Sequence, residues 1–264
     1  MPSQVTCSIA REIATVTLRN TERRNALSIR LLGDLEAILT RLEADREVRV
    51  IVLTGSGSAF CVGADLAAPP ELRSLRGDSV EGDTARLRAA SNVAQHLHLM
   101  PQPTVAAING ACAGAGLSLA LATDFRVAAD TAVFNTAFLG AGLSGDLGGI
   151  WFLTHLLGSA RARELFLMPG KFDVRRAAEI GLVTAVAPAD GLGELTDRIT
   201  ARLASAAPVA VRAMKQNLLG AQALPLAEYL GVEVDRMVHC FHTDDAREAA
   251  SAFLQRREPV FAGR

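Results

Sequence analysis

The chain has 264 residues, half of them apolar, and a formal net charge of -1 with both signs interspersed. This suits one large domain, or a core with an appendage, and allows a sizeable buried interior. It excludes the basic footprint of a nucleic-acid binder and the polybasic run of a lipid-surface protein. The four cysteines, Cys7, Cys61, Cys112 and Cys240, lie far apart with no CxxC. They argue against a disulfide framework or thiolate metal site and for a reducing compartment. The opening segment MPSQVTCSIAREIATV has no basic head followed by an apolar run. No signal peptide is read from it, and a cytoplasmic location is expected.

In chain order, residues 5–18 read as two short strands around a turn at Arg11-Glu12. Ser28 is placed to cap a helix from Ile29 to Ala44, in which Leu31, Leu32, Leu35, Ile38, Leu39 and Leu42 recur at helical spacing. Val48 to Thr54 is nearly continuous in Val, Ile and Leu, the pattern of a strand buried on both faces. The glycine-rich segment GSGSAFCVGADL follows, then an expected exposed loop over residues 67–83 and a helix from Thr84 to about Met100. Pro101 and Pro103 stop that helix. A strand from Thr104 to Asn109, a turn, a helix from about Gly114 and a strand from Asp124 to Ala129 come next. Residues 132–149 read as irregular, before short helices at 150–157, 159–167 and 174–180 and a strand at 183–187. From Asp190 the chain reads as helical, in segments 190–206, 208–220 and about 225–256. Strands alternating with helices predict an α/β fold with parallel strands. The helices of the closing block each carry an apolar face that must be covered by the core or by another subunit.

The uncharged stretch TVAAINGACAGAGLSLALAT, residues 104–123, is the centre of this pattern. The prolines before it and the lack of an aromatic belt argue against a membrane span. The turns Cys61-Val62-Gly63-Ala64-Asp65 and Gly114-Ala115-Gly116 each follow a buried strand. Small residues there serve either tight packing or backbone N–H groups open to an oxyanion. Asp146, in Gly145-Asp146-Leu147-Gly148-Gly149, is either the N-cap of the next helix or a half-buried carboxylate suited to proton transfer. GAGLSG at 140–145 matches a dinucleotide fingerprint but follows no clear strand. Glu164, at the spacing of such a fingerprint's ribose acid, falls in an amphipathic helix. Ser118, Asp146 and His155 fall in hydrolase order, yet Ser118 lies too far beyond its strand for a nucleophile elbow. Of the five histidines, His96 and His98 face different ways, and His239 and His242 lack the further ligands of a metal site. All five read as surface or helix-end residues.

Taken together these segments resemble the crotonase (enoyl-CoA hydratase/isomerase) superfamily. Arg24-Asn25-Ala26-Leu27-Ser28 resembles its early CoA-contact segment. Ala59 to Leu66 resembles its first oxyanion-hole turn, and Ala107 to Gly116 its second. Ala178 to Val183 and the terminal Ala252-Phe253-Leu254 with Arg256 to Phe261 fit its later segments. The resemblance implies a spiral of ββα turns over residues 1–200 and a C-terminal helical trimerisation or lid region over 201–264. It implies self-association as a homotrimer or dimer of trimers and an acyl-CoA thioester substrate. CoA would enter as part of the substrate, with no separate cofactor and no metal. The thioester oxygen would accept from the backbone N–H groups of Ala64 and Ala115. CoA contacts would come from Arg24, Ala26, Leu27, Val62, Ala64, Asp65, Leu66, Gly114, Phe253 and Arg256.

Two departures from the family pattern bear on the chemistry. Typical hydratases carry two glutamates that position and activate water, and here their places fall on Ser118 and Phe138. Asp146 stands where some isomerases of the family hold a catalytic aspartate. The family's aryl-CoA dehalogenases combine such an aspartate with a tryptophan, where this chain has Phe138. The resemblance therefore implies isomerase-type proton transfer by Asp146, with 2-enoyl-CoA hydration or non-catalytic acyl-CoA binding as the alternatives.

Overall fold

The computed structural model describes residues 4–66 and 79–264. The expected loop at 67–83 lies mostly outside these residues. The chain opens with the hairpin β1 (Val5–Ala10) and β2 (Ile13–Leu18), turned by Arg11 and Glu12 at φ 47° and 65°. Helix α1 (Ile29–Ala44) follows, with the Ser28 hydroxyl accepting from Leu31 N as its N-cap. Leu31, Leu35, Leu39 and Leu42 form its fully buried stripe.

Three ββα turns then repeat. The first is β3 (Val50–Gly55), β4 (Ala59–Cys61) and α2 (Val80–Leu99). The second is β5 (Thr104–Ile108), β6 (Ala111–Ala113) and α3 (Ala115–Leu121). The third is β7 (Phe125–Ala129), β8 (Val133–Asn135) and α4 (Gly149–Leu157). The first strand of each turn enters a six-stranded sheet and the second enters a four-stranded sheet. The large sheet is completed by β10 (Ala185–Ala187), in the order β1-β2-β3-β5-β7-β10, with parallel pairing from β2 onward. The small sheet runs β4-β6-β8-β9, with β9 (Phe172–Asp173) antiparallel to β8. Helices α5 (Ser159–Leu167), α6 (Val174–Glu179) and α7 (Leu192–Ala204) complete this part of the chain. This is the mixed α/β architecture that the alternation of strands and helices predicts.

The closing block contains α8 (Pro208–Ala223), α9 (Leu226–Phe241) and α10 (Asp244–Gln255). The expected single helix over 225–256 is two, because Thr243 leaves helical geometry and caps α10 by accepting from Ala246 N. Helix α2 starts earlier than the apolar pattern suggests, at Val80, because Ser79 caps it by accepting from Gly82 N. Helix α8 is pinned to the core by Lys215. Its Nζ donates to the Asp124 carboxylate at 2.8 Å and to Gln102 O at 3.0 Å. Leu226, Leu230, Val234, Met237, Val238 and Phe241 leave an exposed apolar stripe along α9 in the single chain. Among the described residues no helix is long and apolar enough to cross a membrane.

The second strands and the helices behind them pack without side-chain clearance. A Cβ added to Gly116 would lie 2.3 Å from Cys61 O, and one added to Gly110 would lie 2.1 Å from Ser58 O. Neither contact involves a flexible side-chain end, so backbone would have to move. Gly116→Ala is expected to lower unfolding free energy by about 1–3 kcal/mol, the usual cost of an overpacked core. Urea denaturation checks this, and unchanged stability would show that β4 and α3 are less tightly apposed.

Candidate active site

The two small-residue turns meet at the end of the small sheet. Cys61 and Cys112 are in register on the parallel strands β4 and β6, so both chains leave the sheet side by side. Gly63 and Gly114 then take φ of 95° and 52°, open to glycine and strained for other residues. A Cβ built on Gly63 would be 3.4 Å from Ala115 N, and one on Gly114 would be 3.8 Å from Gly63 Cα. The first turn is braced by Leu27, whose N–H donates to Gly63 O at 2.7 Å and whose carbonyl accepts from Asp65 N at 2.9 Å. The N–H groups of Ala64 and Ala115 have no acceptor among the described residues. Ala115 is the first residue of α3 and is not among the positive-φ residues, so its methyl group costs the backbone nothing here.

The bracing segment owes its shape to Asn25. Arg24 and Asn25 both adopt left-handed backbone, with φ of 53° and 57°. The buried Asn25 amide donates to Ser56 O and Ala59 O and accepts from Asn20 N. These bonds offset the local strain and fix the chain beside β4. Ala26 and Leu27 are consequently buried, Val62, Ala64 and Asp65 are partly exposed, and Leu66 is 69% exposed at the rim. The structure thus brings Arg24, Ala26, Leu27, Val62, Ala64, Asp65, Leu66 and Gly114 around one pair of turns. Phe253 and Arg256 lie instead on and just after α10, which packs against α9. Phe253 is exposed in the single chain.

Asp146 sits in a loop whose neighbours are all left-handed: Gly145 at φ 123°, Leu147 at 49° and Gly148 at 73°. Leu147 is buried and holds the loop down. The N-cap of α4 is Gly148, and no side chain caps that helix. The capping role open to Asp146 in the sequence is therefore corrected. Only its backbone carbonyl contributes, accepting from Gly149 N at 3.0 Å. The carboxylate Oδ1 is buried without a partner among the described residues. Burial pushes the carboxyl pKa up from 3.8 to about 6. The buried Cys61 thiol is pushed up to about 12, first by its own burial, and the Asp146 charge adds to that rise. The Asp146 charge is therefore felt at Cys61, where the first turn begins.

Ser118 and Phe138 are packing residues. Ser118 is 1% exposed, and its hydroxyl turns back to Gly114 O at 3.4 Å. A Cβ on Gly149 would lie 2.3 Å from Ser118 Oγ, so α3 and α4 touch at this point. Phe138 is buried and stacks on Phe166 with centroids 6.2 Å apart. No hydrolase triad forms, because Ser118 bonds to Gly114 and His155 Nδ1 pairs with Trp151 O at 2.8 Å. GAGLSG begins inside a short 3-10 turn at Leu139–Ala141 rather than directly after a strand. Glu164 is ion-paired with Arg161 and Arg176. Among the described residues no three His, Cys, Asp or Glu side chains converge as a metal site.

Beside the Asp146 loop, at Leu147 and Gly148, a cavity of about 440 Å³ opens between α2, α4 and α8. His98, Trp151 and Phe152 line it, and none was marked by a sequence motif. The one usable signal was that His98 lies two residues from His96 and so faces another way. His96 is taken up by Glu36 and Glu43, while His98 turns to the cavity.

Comparisons with known proteins agree with this architecture. A model of the enoyl-CoA hydratase/isomerase family matches residues 8–264. A probable enoyl-CoA hydratase of Rhodobacter capsulatus is 36% identical over 260 residues, covering 97% of this chain and 96% of that protein. The 1,2-epoxyphenylacetyl-CoA isomerase of Escherichia coli is 32% identical, covering 97% of both. The crystal structure of an enoyl-CoA hydratase from Bacillus anthracis superposes with a TM-score of 0.92 at 32% identity, covering 99% of this chain and all of that one. With a match along almost its whole length and the two-sheet ββα repeat in place, this chain belongs to the enoyl-CoA hydratase/isomerase family of the crotonase superfamily.

Proposed function

We propose that this protein shifts a double bond in an enoyl-CoA thioester, with Asp146 as the single acid–base group. The Asp146 carboxylate takes a proton from the carbon next to the thioester. The negative charge moves to the thioester oxygen, where the Ala64 and Ala115 N–H groups donate hydrogen bonds. The same proton is returned further along the chain, so the double bond moves and no water is added. Preorganised donors of this kind are worth about 10²–10³ each in rate. A carboxyl that titrates near 6 is close to the ideal for exchanging a proton at neutral pH. The observation that carries this reading is the buried Asp146 oxygen, which has no hydrogen-bond partner among the described residues and whose charge is felt at Cys61, just before the first turn.

In this reading the segment from Arg24 to Leu27 and the rim at Val62 to Leu66 hold the CoA moiety. Phe253 and Arg256 contribute through association of copies. The exposed stripe of α9 supports that association, and residues beyond 200 act as the trimerisation or lid region. A cytoplasmic acyl-CoA enzyme, with CoA entering only as substrate, is the corresponding proposal.

Hydration is the second reading, favoured by the names of several relatives, such as the probable hydratase of Rhodobacter capsulatus. The packing around Ser118 weighs against it. Ser118 Oγ already lies against Gly149, where there is no room even for a Cβ, so a longer side chain at position 118 presses on α4. Ser118→Glu is therefore expected to destabilise the protein by about 1–3 kcal/mol without creating hydratase activity. A stable Ser118→Glu enzyme that hydrates crotonyl-CoA would show that α3 and α4 are free to separate.

Asp146→Asn is expected to lower isomerase kcat by at least about 10²-fold while the dissociation constant for acyl-CoA changes little. Retained turnover would remove Asp146 from the mechanism. In the wild type, activity should rise through pH 6 as the carboxylate forms. The linkage to stability has the opposite sense. With the folded pKa raised from 3.8 to about 6, ionising Asp146 costs stability progressively between those pH values. Asp146→Asn should therefore melt higher than wild type at pH 8, and this advantage should shrink toward pH 4. Melting curves at the two pH values check it, and a lower melting temperature for the variant at pH 8 would contradict a desolvated carboxylate.

A further inference from the structure

Four polar side chains line the cavity beside Asp146: Ser91, whose hydroxyl donates to Leu87 O, Gln95 and Gln222, which are exposed to solvent, and His98, which is half-buried among aromatic rings. His98 projects from α2 and has no hydrogen-bond partner among the described residues. Its ring meets the edges or faces of Trp151 at 5.4 Å and 78° and of Phe152 at 5.1 Å and 63°. Trp151 and Phe152 meet each other at 5.2 Å and 86°. Ala94 and Leu147 continue the apolar wall, and Leu219 of α8 closes the far side.

The charged groups acting on His98 are Lys215, Asp124 and His155. Lys215 and Asp124 are already paired with each other, and His155 is held by Trp151 O. Burial first, and then the Lys215 charge, lower the His98 pKa below its ordinary 6.5. At neutral pH the imidazole is uncharged, with one ring nitrogen donating and the other accepting.

A neutral imidazole set in an aromatic wall is matched by a ligand that is mostly apolar and has one hydrogen-bonding oxygen. The volume, about 440 Å³, lies within the range of pockets that hold small organic ligands. Three aromatic rings at near-perpendicular angles leave faces and edges for a further ring to pack against.

We propose that His98 sets acyl-group specificity, and that the cavity takes a ring-bearing acyl group with a hydroxyl, ether or carbonyl oxygen at the end remote from the thioester. The oxygen bonds to His98 and the ring packs on Trp151 and Phe152. This rests on the CoA-thioester reading of the site, and names the class of acyl group it accepts.

Calorimetric titration of the intact protein with saturated esters tests it, because these have no double bond to move and report binding without turnover. The three ligands are butyryl-CoA, phenylacetyl-CoA and 4-hydroxyphenylacetyl-CoA. The wild type should bind phenylacetyl-CoA more tightly than butyryl-CoA, and the hydroxylated ester about 3–10-fold more tightly than phenylacetyl-CoA, the range for one added hydrogen bond. His98→Phe should erase the hydroxyl advantage, and His98→Gln, which keeps a donor and an acceptor, should retain part of it. Equal binding of the butyryl and phenylacetyl esters overturns the proposal while the CoA-thioester reading stands. So does the absence of a hydroxyl advantage in the wild type, or its survival in His98→Phe. If none of the three esters binds, the CoA-thioester reading fails and takes this proposal with it. The wild-type comparison decides the matter even if a variant does not fold.

Discussion

The structure depends on the close approach of the end of β4 to the start of α3. Cys61 O would lie only 2.3 Å from a Cβ on Gly116, so the two backbones touch where other proteins would need side chains. Parallel pairing of Cys61 with Cys112 sets the approach, and the positive φ values of Gly63 and Gly114 turn both chains outward at the same level. Charged residues have no place in such a contact, which accounts for the uncharged run from Thr104 to Thr123. The same constraint leaves the Ala64 and Ala115 N–H groups without acceptors among the described residues. Unfilled backbone donors at a close-packed turn have a free-energy cost, and a ligand oxygen is the natural way to meet it.

The packing that creates the turns also restricts the acids near them. Ser118 and Phe138 are occupied by contacts with Gly149 and Phe166. Asp146 is the buried carboxylate described beside them, on a loop with left-handed neighbours held down by buried Leu147. The loop is strained at Leu147, and the carboxylate bears a desolvation cost, because its buried Oδ1 has no hydrogen-bond partner among the described residues. Groups kept in that condition are concentrated at functional sites, because folding alone gives no reason to retain them.

Much of this was legible in the residues. The leucine stripe of α1 with its Ser28 cap, the continuous apolar run of β3, and the turn at Arg11-Glu12 all follow from local periodicity and turn chemistry. The ordered segments around Ala64 and Ala115 carried the family resemblance. The short strands β4, β6 and β8 were not legible, since three residues are too few to show a period, and glycine-rich flanks look like turns. Asp146 could not be settled from sequence, because Gly-Asp-Leu-Gly-Gly also suits a helix start. The N-cap position of α4 falls on the left-handed Gly148, two residues after Asp146, and no side chain caps the helix. The cavity around His98 escaped notice for a different reason. Its walls come from α2, α4 and α8, which are distant in the chain and are brought together partly by the Lys215–Asp124 pair. No local pattern encodes that junction.

Central to the account is one-carboxylate proton transfer without water activation. The most direct measurement follows double-bond position and water addition separately while the wild-type protein acts on 3-enoyl- and 2-enoyl-CoA esters. The account predicts conversion of the 3-enoyl ester to the 2-enoyl ester, with little 3-hydroxyacyl-CoA formed from either. Rapid hydration of crotonyl-CoA, without migration of the double bond in the 3-enoyl ester, would contradict it.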